Sequence, residues 1–150
     1  MRAALRLGVP ALIALAVAAS IASGASTPHS ERTAVRLLVS QPFSVDNAPS
    51  GMSGGDLIGS YGHVHQAGKQ IGDYNGACTA ASAAAAQCQA TLTWNERGSL
   101  QLAGTLSLAS QKNVYSIVGG TGEFRGASGT ARLTALNQGL IERVRLRIIG

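Results

Sequence analysis

The feature of this 150-residue sequence that most restricts its fold is a glycine-dense turn between two apolar segments. Residues 114–118 lead into Gly119, Gly120 and Gly122, and a second alternating segment follows at residues 130–136. Glycine adopts positive φ and lets two backbones approach closely, so this spacing is typical of a tight corner between strands. The segment therefore predicts a fold element first and indicates little about chemistry.

Two side chains beside this corner have predicted structural roles. Phe124 is expected to be an apolar plug, and Arg125 is expected to form a salt bridge that fixes the corner. A phosphate-binding or dinucleotide-binding loop would need a helix after the glycines, and a phosphate loop would also need a lysine. Because neither follows here, no cofactor is predicted at this segment.

Short alternating segments occupy most of the chain after residue 33, and none has convincing helical periodicity. The clearest hairpin joins residues 88–94 to residues 99–106. Eight such segments predict an all-β fold, either a sandwich or an eight-stranded antiparallel β-barrel of lipocalin-like shape. The interior of an eight-stranded barrel is filled by side chains or holds one small ligand.

The first 25 residues are typical of a cleaved signal peptide. Arg2 and Arg6 precede an apolar run at residues 7–19, and small residues follow at 23–25. A membrane anchor is the alternative, but the apolar run is short for a bilayer span. We therefore expect a signal peptide at residues 1–25, secreted or periplasmic localisation and no stable membrane anchor.

The rest of the chain is long enough for one domain. We expect a flexible N-terminal tail at residues 26–33 and a single β-barrel domain at residues 34–150. The formal net charge is +5, and no basic cluster is interleaved with aromatic residues, so nucleic-acid binding is not expected. Arg143, Arg145 and Arg147 share one strand face, which is expected to be solvated or, alternatively, to face an anion.

Cys78 and Cys88 are the two cysteines of the sequence. An even pair in an exported chain predicts a disulfide, whereas a redox dithiol would need closer C-x-x-C spacing. The alanine-rich residues 79–87 between them are expected to form a loop that closes a hairpin.

His63 and His65 lie two residues apart and project from one face of an expected strand. Such a pair can bind a metal if Asp56 or Asp73 supplies a third ligand, but histidines are also common polar residues at a barrel rim. No metal site is predicted. A serine hydrolase triad is not expected either, because no G-x-S-x-G motif occurs.

The run GGTGEFRGASG at residues 119–129 resembles the motif of the dirigent and allene oxide cyclase-like barrel superfamily. Gly55-Asp56, Ile71-Gly72 and Cys78 look like its bacterial secreted branch. The resemblance favours the barrel over the sandwich. It also implies a hydrophobic small molecule in the lumen, cyclisation or stereoselective coupling without a cofactor, and a homo-oligomer, which would be a trimer.

The resemblance implies a catalytic acid at Asp56, because a carboxylate buried in an apolar cavity has a raised pKa. The alternative is that Asp56 accepts backbone hydrogen bonds at a strand start. Tyr61, His63, His65 and Arg132 are the candidate substrate-binding residues. Arg132 qualifies only if the threonine face of its strand is the lumen, and otherwise it is a solvated outer side chain.

Two functions remain open from the sequence. The first is a cofactor-independent cyclase or isomerase, and the second is a non-catalytic ligand-binding or structural barrel with a packed lumen. An acidic side chain and a tyrosine pointing inward would support the enzyme, whereas a lumen filled by leucine and valine would support the structural role.

Overall fold

Eight strands with alternating inward and outward side chains wrap into a closed antiparallel barrel, in which each strand pairs with the next and the last pairs with the first. This computed structural model describes residues 29–47, 49–137 and 140–150, so the expected signal peptide lies outside the described residues. The all-β barrel expected from the sequence is confirmed. The strands are β1 Ser30–Val45, β2 Leu57–Gln66, β3 Lys69–Ser82, β4 Ala85–Trp94, β5 Gly98–Ser107, β6 Lys112–Gly120, β7 Ser128–Leu136 and β8 Ile141–Ile149.

The first strand is long, and it begins inside the segment that was expected to be a flexible tail. Residues 30–33, expected in the flexible tail, belong to β1 and pair with β8 from Ser30 opposite Ile149 onward. At its other end β1 runs to Val45, opposite Leu57 of β2, with a register shift after Val39. Closing the barrel requires one strand to cover both β8 and β2, and this requirement overrides the polar composition of the tail.

The alanine-rich segment is also strand, which corrects the expected loop. β3 and β4 continue through it to a two-residue turn at residues 83–84. The expected disulfide is present: Cys78 and Cys88 are directly opposite, with their Cα atoms 4.0 Å apart. In this segment alanine occupies both the inward and the outward positions, so the sequence shows no alternation of apolar and polar residues. Its composition alone therefore suggested a loop.

The glycine corner lies between β6 and β7, where a short 3-10 helix spans Gly122–Phe124. Gly122 has φ of +61°, and a Cβ on Gly120 would lie 2.6 Å from the carbonyl oxygen of Ser99. Both positions therefore need glycine, whereas a Cβ on Gly119 would meet nothing within 4 Å.

The side chains after the corner close one end of the barrel. Phe124 is buried, and its ring centroid lies 5.0 Å from that of Trp94. The ion pair at the corner joins Arg97 Nε to Glu123 Oε2 at 2.7 Å. The expected salt bridge of Arg125 is wrong, because that side chain is exposed and forms no ion pair within the described part of the chain.

The barrel interior divides into two ends, named here by their contents. The closed end, beside the glycine corner, is filled by large apolar side chains that include Leu100, Trp94 and Phe124. The open end lies beneath the segments that join β1 to β2 and β5 to β6. No helix in residues 29–47, 49–137 and 140–150 has the length and apolar character to cross a membrane.

Candidate functional site

The open end of the barrel contains a cavity of about 230 Å³, called here the lumen cavity. Its walls are mostly apolar, with a few polar groups that converge on the same space. The apolar lining includes Leu37, Ile58, Leu92, Leu102, Leu106 and Leu133, and the polar lining includes Ser60, Tyr74, Tyr115 and Glu142. A largely apolar cavity with few polar groups is the usual form of a small-molecule site.

Glu142 points into this cavity because of its position in β8. Val144 and Leu146 follow at intervals of two and are buried, so Glu142 shares their inward face. Its cross-strand neighbours are Ala135 and Leu37, both apolar. Within the described residues no side chain hydrogen bonds to Glu142 or forms an ion pair with it. Burial raises the pKa of the Glu142 carboxyl above its ordinary value.

Tyr74 brings a phenol to the same space from β3. Its ring is accommodated by Gly62 on β2, where a Cβ would lie 2.7 Å from Tyr74 Cε1. The Tyr74 hydroxyl is buried and has no hydrogen-bond partner among the described residues. Burial is the main cause that raises the pKa of Tyr74; the nearby Ser60 hydroxyl opposes this effect without reaching hydrogen-bond geometry, and the negative charge of Glu142 acts in the same direction as burial. An unpaired buried hydroxyl is costly, which favours a ligand that supplies the missing bond.

Tyr115 supplies a second phenol from β6. Its ring packs over Gly104 of β5, where any larger residue would collide with it. Burial, with a smaller effect of the Glu142 charge, raises the pKa of Tyr115 to about 12. The Tyr115 phenol therefore stays protonated at neutral pH and acts as a hydrogen-bond donor. Glu142, Tyr74 and Tyr115 all line the lumen cavity, so one carboxyl shares this space with two phenols.

The disulfide forms part of the wall of the lumen cavity. Cys78 and Cys88 both line it, on the neighbouring strands β3 and β4. A covalent link between opposite residues limits how far these strands separate. The wall at the open end is therefore stiffened where large core side chains are missing.

Asp56 differs from the expected acid in its surroundings. It is 3% exposed and accepts hydrogen bonds from the backbone N–H groups of Ser53 at 2.6 Å and Asn47 at 2.8 Å, with a longer one from the Ser53 hydroxyl. The Ser53 and Asn47 backbone bonds hold the pKa of Asp56 below its ordinary value and outweigh burial. The expected raised pKa is therefore wrong. Asp56 accepts backbone bonds beside the start of β2, which was the alternative.

The three candidates on β2 face outward. Val64 is fully buried in the core, so the alternating Tyr61, His63 and His65 lie on the outer surface of the barrel. His63 Nδ1 lies 2.7 Å from Asp73 Oδ1, also outside. Their expected place in the lumen is wrong, and the described residues contain no group of three or more potential metal ligands.

Arg132 also lies on the outer surface. On β7 the buried Ala131 and the partly buried Leu133 face the interior, so Thr130, Arg132 and Thr134 face out. The solvated alternative is therefore the one that the structure supports, and Arg132 does not contact the lumen cavity.

Sequence reasoning missed the three titratable residues of the cavity. A usable signal existed for Glu142, because the same alternation that separates Arg143 from Val144 assigns Glu142 to the inward face. The signal for Tyr115 was similar, since it is two residues from the apolar Ile117. Tyr74 lies between Gly72 and Gly76, which carry no burial signal.

Comparison with known proteins relates the chain to one family and several barrels of the same shape. The sequence profile described as Dirigent-like protein matches residues 62–148, more than half of the chain. A pyocyanin demethylase structure aligns with a TM-score of 0.72 and 20% identity, over 79% of this chain and 99% of that one. A pterocarpan synthase dirigent protein aligns with a TM-score of 0.64 and 17% identity, over 81% of this chain and 88% of that one.

A third structure, an exo-specific intermolecular Diels-Alderase, aligns with a TM-score of 0.65 and 12% identity, over 81% of this chain and 99% of that one. No curated protein matches the sequence. At these identities the structural likeness shows a shared fold.

Proposed function

This chain belongs to the dirigent-like protein family, and from that premise we propose that its barrel binds a hydrophobic small molecule in the lumen cavity and guides its cyclisation or stereoselective coupling without a cofactor. One observation carries the proposal. A buried carboxyl with a raised pKa and two phenols line the same mostly apolar cavity. Perturbed titratable groups in such a cavity are typical of sites that move protons.

In the proposed reaction Glu142 is the general acid and base. Its protonated carboxyl donates a proton to the basic carbonyl oxygen of a conjugated ketone in the substrate, which makes the β-carbon of that ketone more electrophilic. A hydroxyl of the substrate then adds to the activated carbon, and its proton returns to the Glu142 carboxylate. A ring C–O bond forms while one π bond of the conjugated system is lost, which leaves an enol. Transfer of the enol proton to carbon then gives the ketone, and no oxidant or reductant is consumed.

Tyr74 and Tyr115 are the proposed orienting groups. Both have raised pKa values, so they remain donors and stabilise negative charge that develops on the substrate oxygen. The apolar walls exclude water and hold one folded conformer of the substrate. Stereocontrol follows from this fixed orientation.

The expected ligand is uncharged and small. The cavity of about 230 Å³ is below the common range of roughly 300–1,000 Å³ for ligand pockets, which suits one or two rings. An anionic ligand would be repelled by an ionised Glu142. The names of the pterocarpan synthase and the Diels-Alderase describe the formation of rings by those proteins, and they support the same class of reaction here.

A second candidate function is carriage of the same ligand without chemistry. The closed half of the lumen is filled by leucine, valine and aromatic side chains, which leaves room for only a small ligand. A carrier would bind the fluorescent dye used below as a probe, and it would change neither the rate nor the stereochemistry of the test reaction.

The proposal includes export and self-association. The Cys78–Cys88 disulfide supports an oxidising compartment, and N-terminal sequencing of exported protein is expected to begin near Ser26. The outward residues Asn75, Ala77 and Ala103 belong to an uncharged patch across β3 to β5, which suits the trimer that the family resemblance implies. Light scattering of the purified protein measures that state.

Binding in the lumen is tested with N-phenyl-1-naphthylamine, a neutral dye that fluoresces in apolar surroundings. The unmodified protein is expected to bind it, and Ala90→Phe, which fills the cavity, is expected to weaken binding at least tenfold. Thr93→Phe, which places a phenylalanine on the exposed outer surface of the same strand, is the matched control. Equal binding by the Ala90→Phe variant would contradict a lumen site.

Chemistry is tested with 2′-hydroxychalcone, which closes slowly to a racemic flavanone in water. We expect the protein to enrich one enantiomer, the Ala90→Phe variant to give the racemate, and Glu142→Gln to retain dye binding but lose rate. Dye binding with a racemic product at the uncatalysed rate would favour the carrier.

A further inference from the structure

The outer surface of β7, β8 and β1 carries a concentration of positive charge that the lumen function does not use. Every basic residue in it is an arginine, and all are exposed. The outward positions of these three strands between Ser128 and Arg147, and between Ser30 and Arg36, include no acidic residue. This arginine face consists of Arg32, Arg36, Arg132, Arg143, Arg145 and Arg147.

The strand register places these charges directly against one another. Arg147 is opposite Arg32, and Arg143 is opposite Arg36, both across the β1–β8 pairing. Arg145 is opposite Arg132 across the β7–β8 pairing. Like charges directly opposite on one sheet face destabilise the pairing. Within the described residues none of the six forms an ion pair, so nothing there neutralises this repulsion.

The arginines enclose a shallow groove with a floor of small side chains. Ala34 and Thr130 lie at its base, and four arginines line it. The groove is open to solvent along the strands and has a volume of about 590 Å³. Guanidinium groups bind carboxylates with two parallel hydrogen bonds, which makes arginine better suited than lysine to such a groove.

We propose that the arginine face binds a linear acidic polysaccharide, whose uronic-acid carboxylates pair with the guanidinium groups along the groove. Charge complementarity and the distribution of the guanidinium groups over three neighbouring strands support a polyanion with many carboxylates. The arginine-lined groove has no aromatic side chain on which bases of a nucleic acid would stack, and no large outward apolar side chain that would insert into a membrane. The face points away from the lumen, so this binding is independent of the proposed reaction.

The test measures binding of a polygalacturonate dodecamer by calorimetry at about 50 mM and about 200 mM NaCl. The unmodified protein is expected to bind, and more weakly at the higher salt concentration. The double variant Arg132→Gln/Arg145→Gln is expected to lose roughly tenfold or more in affinity, because two charge-assisted contacts are removed. The double variant Arg125→Gln/Lys69→Gln removes the same charge elsewhere and is expected to retain most of the affinity.

Three results would overturn the proposal: no binding at the lower salt concentration, equal losses in the two double variants, or tighter binding of a 20-base-pair DNA duplex or of phosphatidylglycerol vesicles than of the dodecamer. Circular dichroism and dye binding of each variant check that the barrel and the lumen cavity are intact. If the lumen function fails but polygalacturonate still binds, the proposal for the arginine face stands. If the lumen function is found but polygalacturonate does not bind, only the proposal for the arginine face is overturned.

Discussion

The two ends of the barrel are built by the same eight strands but hold opposite kinds of side chain. At the closed end, inward positions carry large apolar residues such as Leu100, Trp94 and Phe124, which belong to one packed core cluster. At the open end, the same alternation brings Tyr115 and Glu142 inward, beside empty space. The difference indicates that the closed end contributes most to the stability of the fold, and that the open end holds the proposed ligand site.

The comparison is tested most strongly by truncating one leucine at each end. Leu100→Ala removes a fully buried side chain and is expected to lower the free energy of unfolding by about 3 kcal/mol. Leu106→Ala, in the wall of the lumen cavity, is expected to lower it by about 1 kcal/mol or less, because its side chain is partly exposed and borders an existing cavity. Urea unfolding of both variants gives the two values. Equal losses would mean that the ends do not differ in stability.

The glycine corner at the closed end provides the next largest effect. Gly122→Ala places a Cβ at positive φ and against the Arg97 carbonyl, and is expected to cost about 1–3 kcal/mol. Gly119→Ala meets no atom within 4 Å and is expected to stay within about 0.5 kcal/mol of the unmodified protein. Thermal unfolding ranks the two, and a larger loss at Gly119 would contradict the assigned geometry of the corner.

At the open end, the buried carboxyl predicts a pH effect on stability. The folded state holds the Glu142 proton more tightly than the unfolded state, so this group stabilises the fold below the ordinary pKa of 4.5. That contribution is lost as the pH rises through the raised pKa of the folded state. The stability of the unmodified protein relative to Glu142→Gln is therefore expected to fall as the pH rises from the ordinary pKa of 4.5 through the raised pKa of the folded state.

Urea unfolding across this pH range measures the change. Glu96→Gln removes an exposed carboxyl and is the matched control for the lost charge. A gain in the stability of the unmodified protein relative to Glu142→Gln as the pH rises would contradict the buried position of Glu142.

The smallest expected effect concerns the exposed ion pair over the closed end. Arg97→Ala removes the bond to Glu123 and the guanidinium that lies 5.2 Å from the centroid of the Phe124 ring. Surface pairs and exposed cation–π contacts contribute about 1 kcal/mol or less, so the expected loss is of that size. Arg125→Ala is expected to change stability by less than about 0.5 kcal/mol. Denaturant midpoints compare the stabilities of the two variants. A larger loss of stability for Arg125→Ala than for Arg97→Ala would support the salt bridge that was expected of Arg125.

The sequence predicted the parts of the fold that depend on local pattern. Alternation located the strands, the glycine spacing located the corner, and the cysteine pair predicted the disulfide. The extent of β1 was not predictable, because residues 30–33 become strand only through pairing with β8. The alanine-rich segment was not predictable either, because its residues do not alternate between apolar and polar types and so do not indicate which side chains face inward.

The site was harder to predict, because its residues depend on which face of each strand points inward. On β2 the inward residues are Ser60, Gly62 and Val64, two of them small, so the sequence carried little signal that Tyr61 and His63 face out. The lowered pKa of Asp56 depends on the direction of backbone N–H groups in the preceding loop, which no residue pattern specifies. Where the apolar face is unmistakable, as on β8, alternation does predict the inward glutamate.

The most direct test of the account is an NMR titration of the Glu142 side-chain carboxyl carbon in the folded protein, assigned by comparison with Glu142→Gln. The account predicts a pKa above the ordinary 4.5 and a further change when N-phenyl-1-naphthylamine fills the cavity. A pKa at or below 4.5 that does not respond to the dye would contradict a buried carboxyl facing the ligand site.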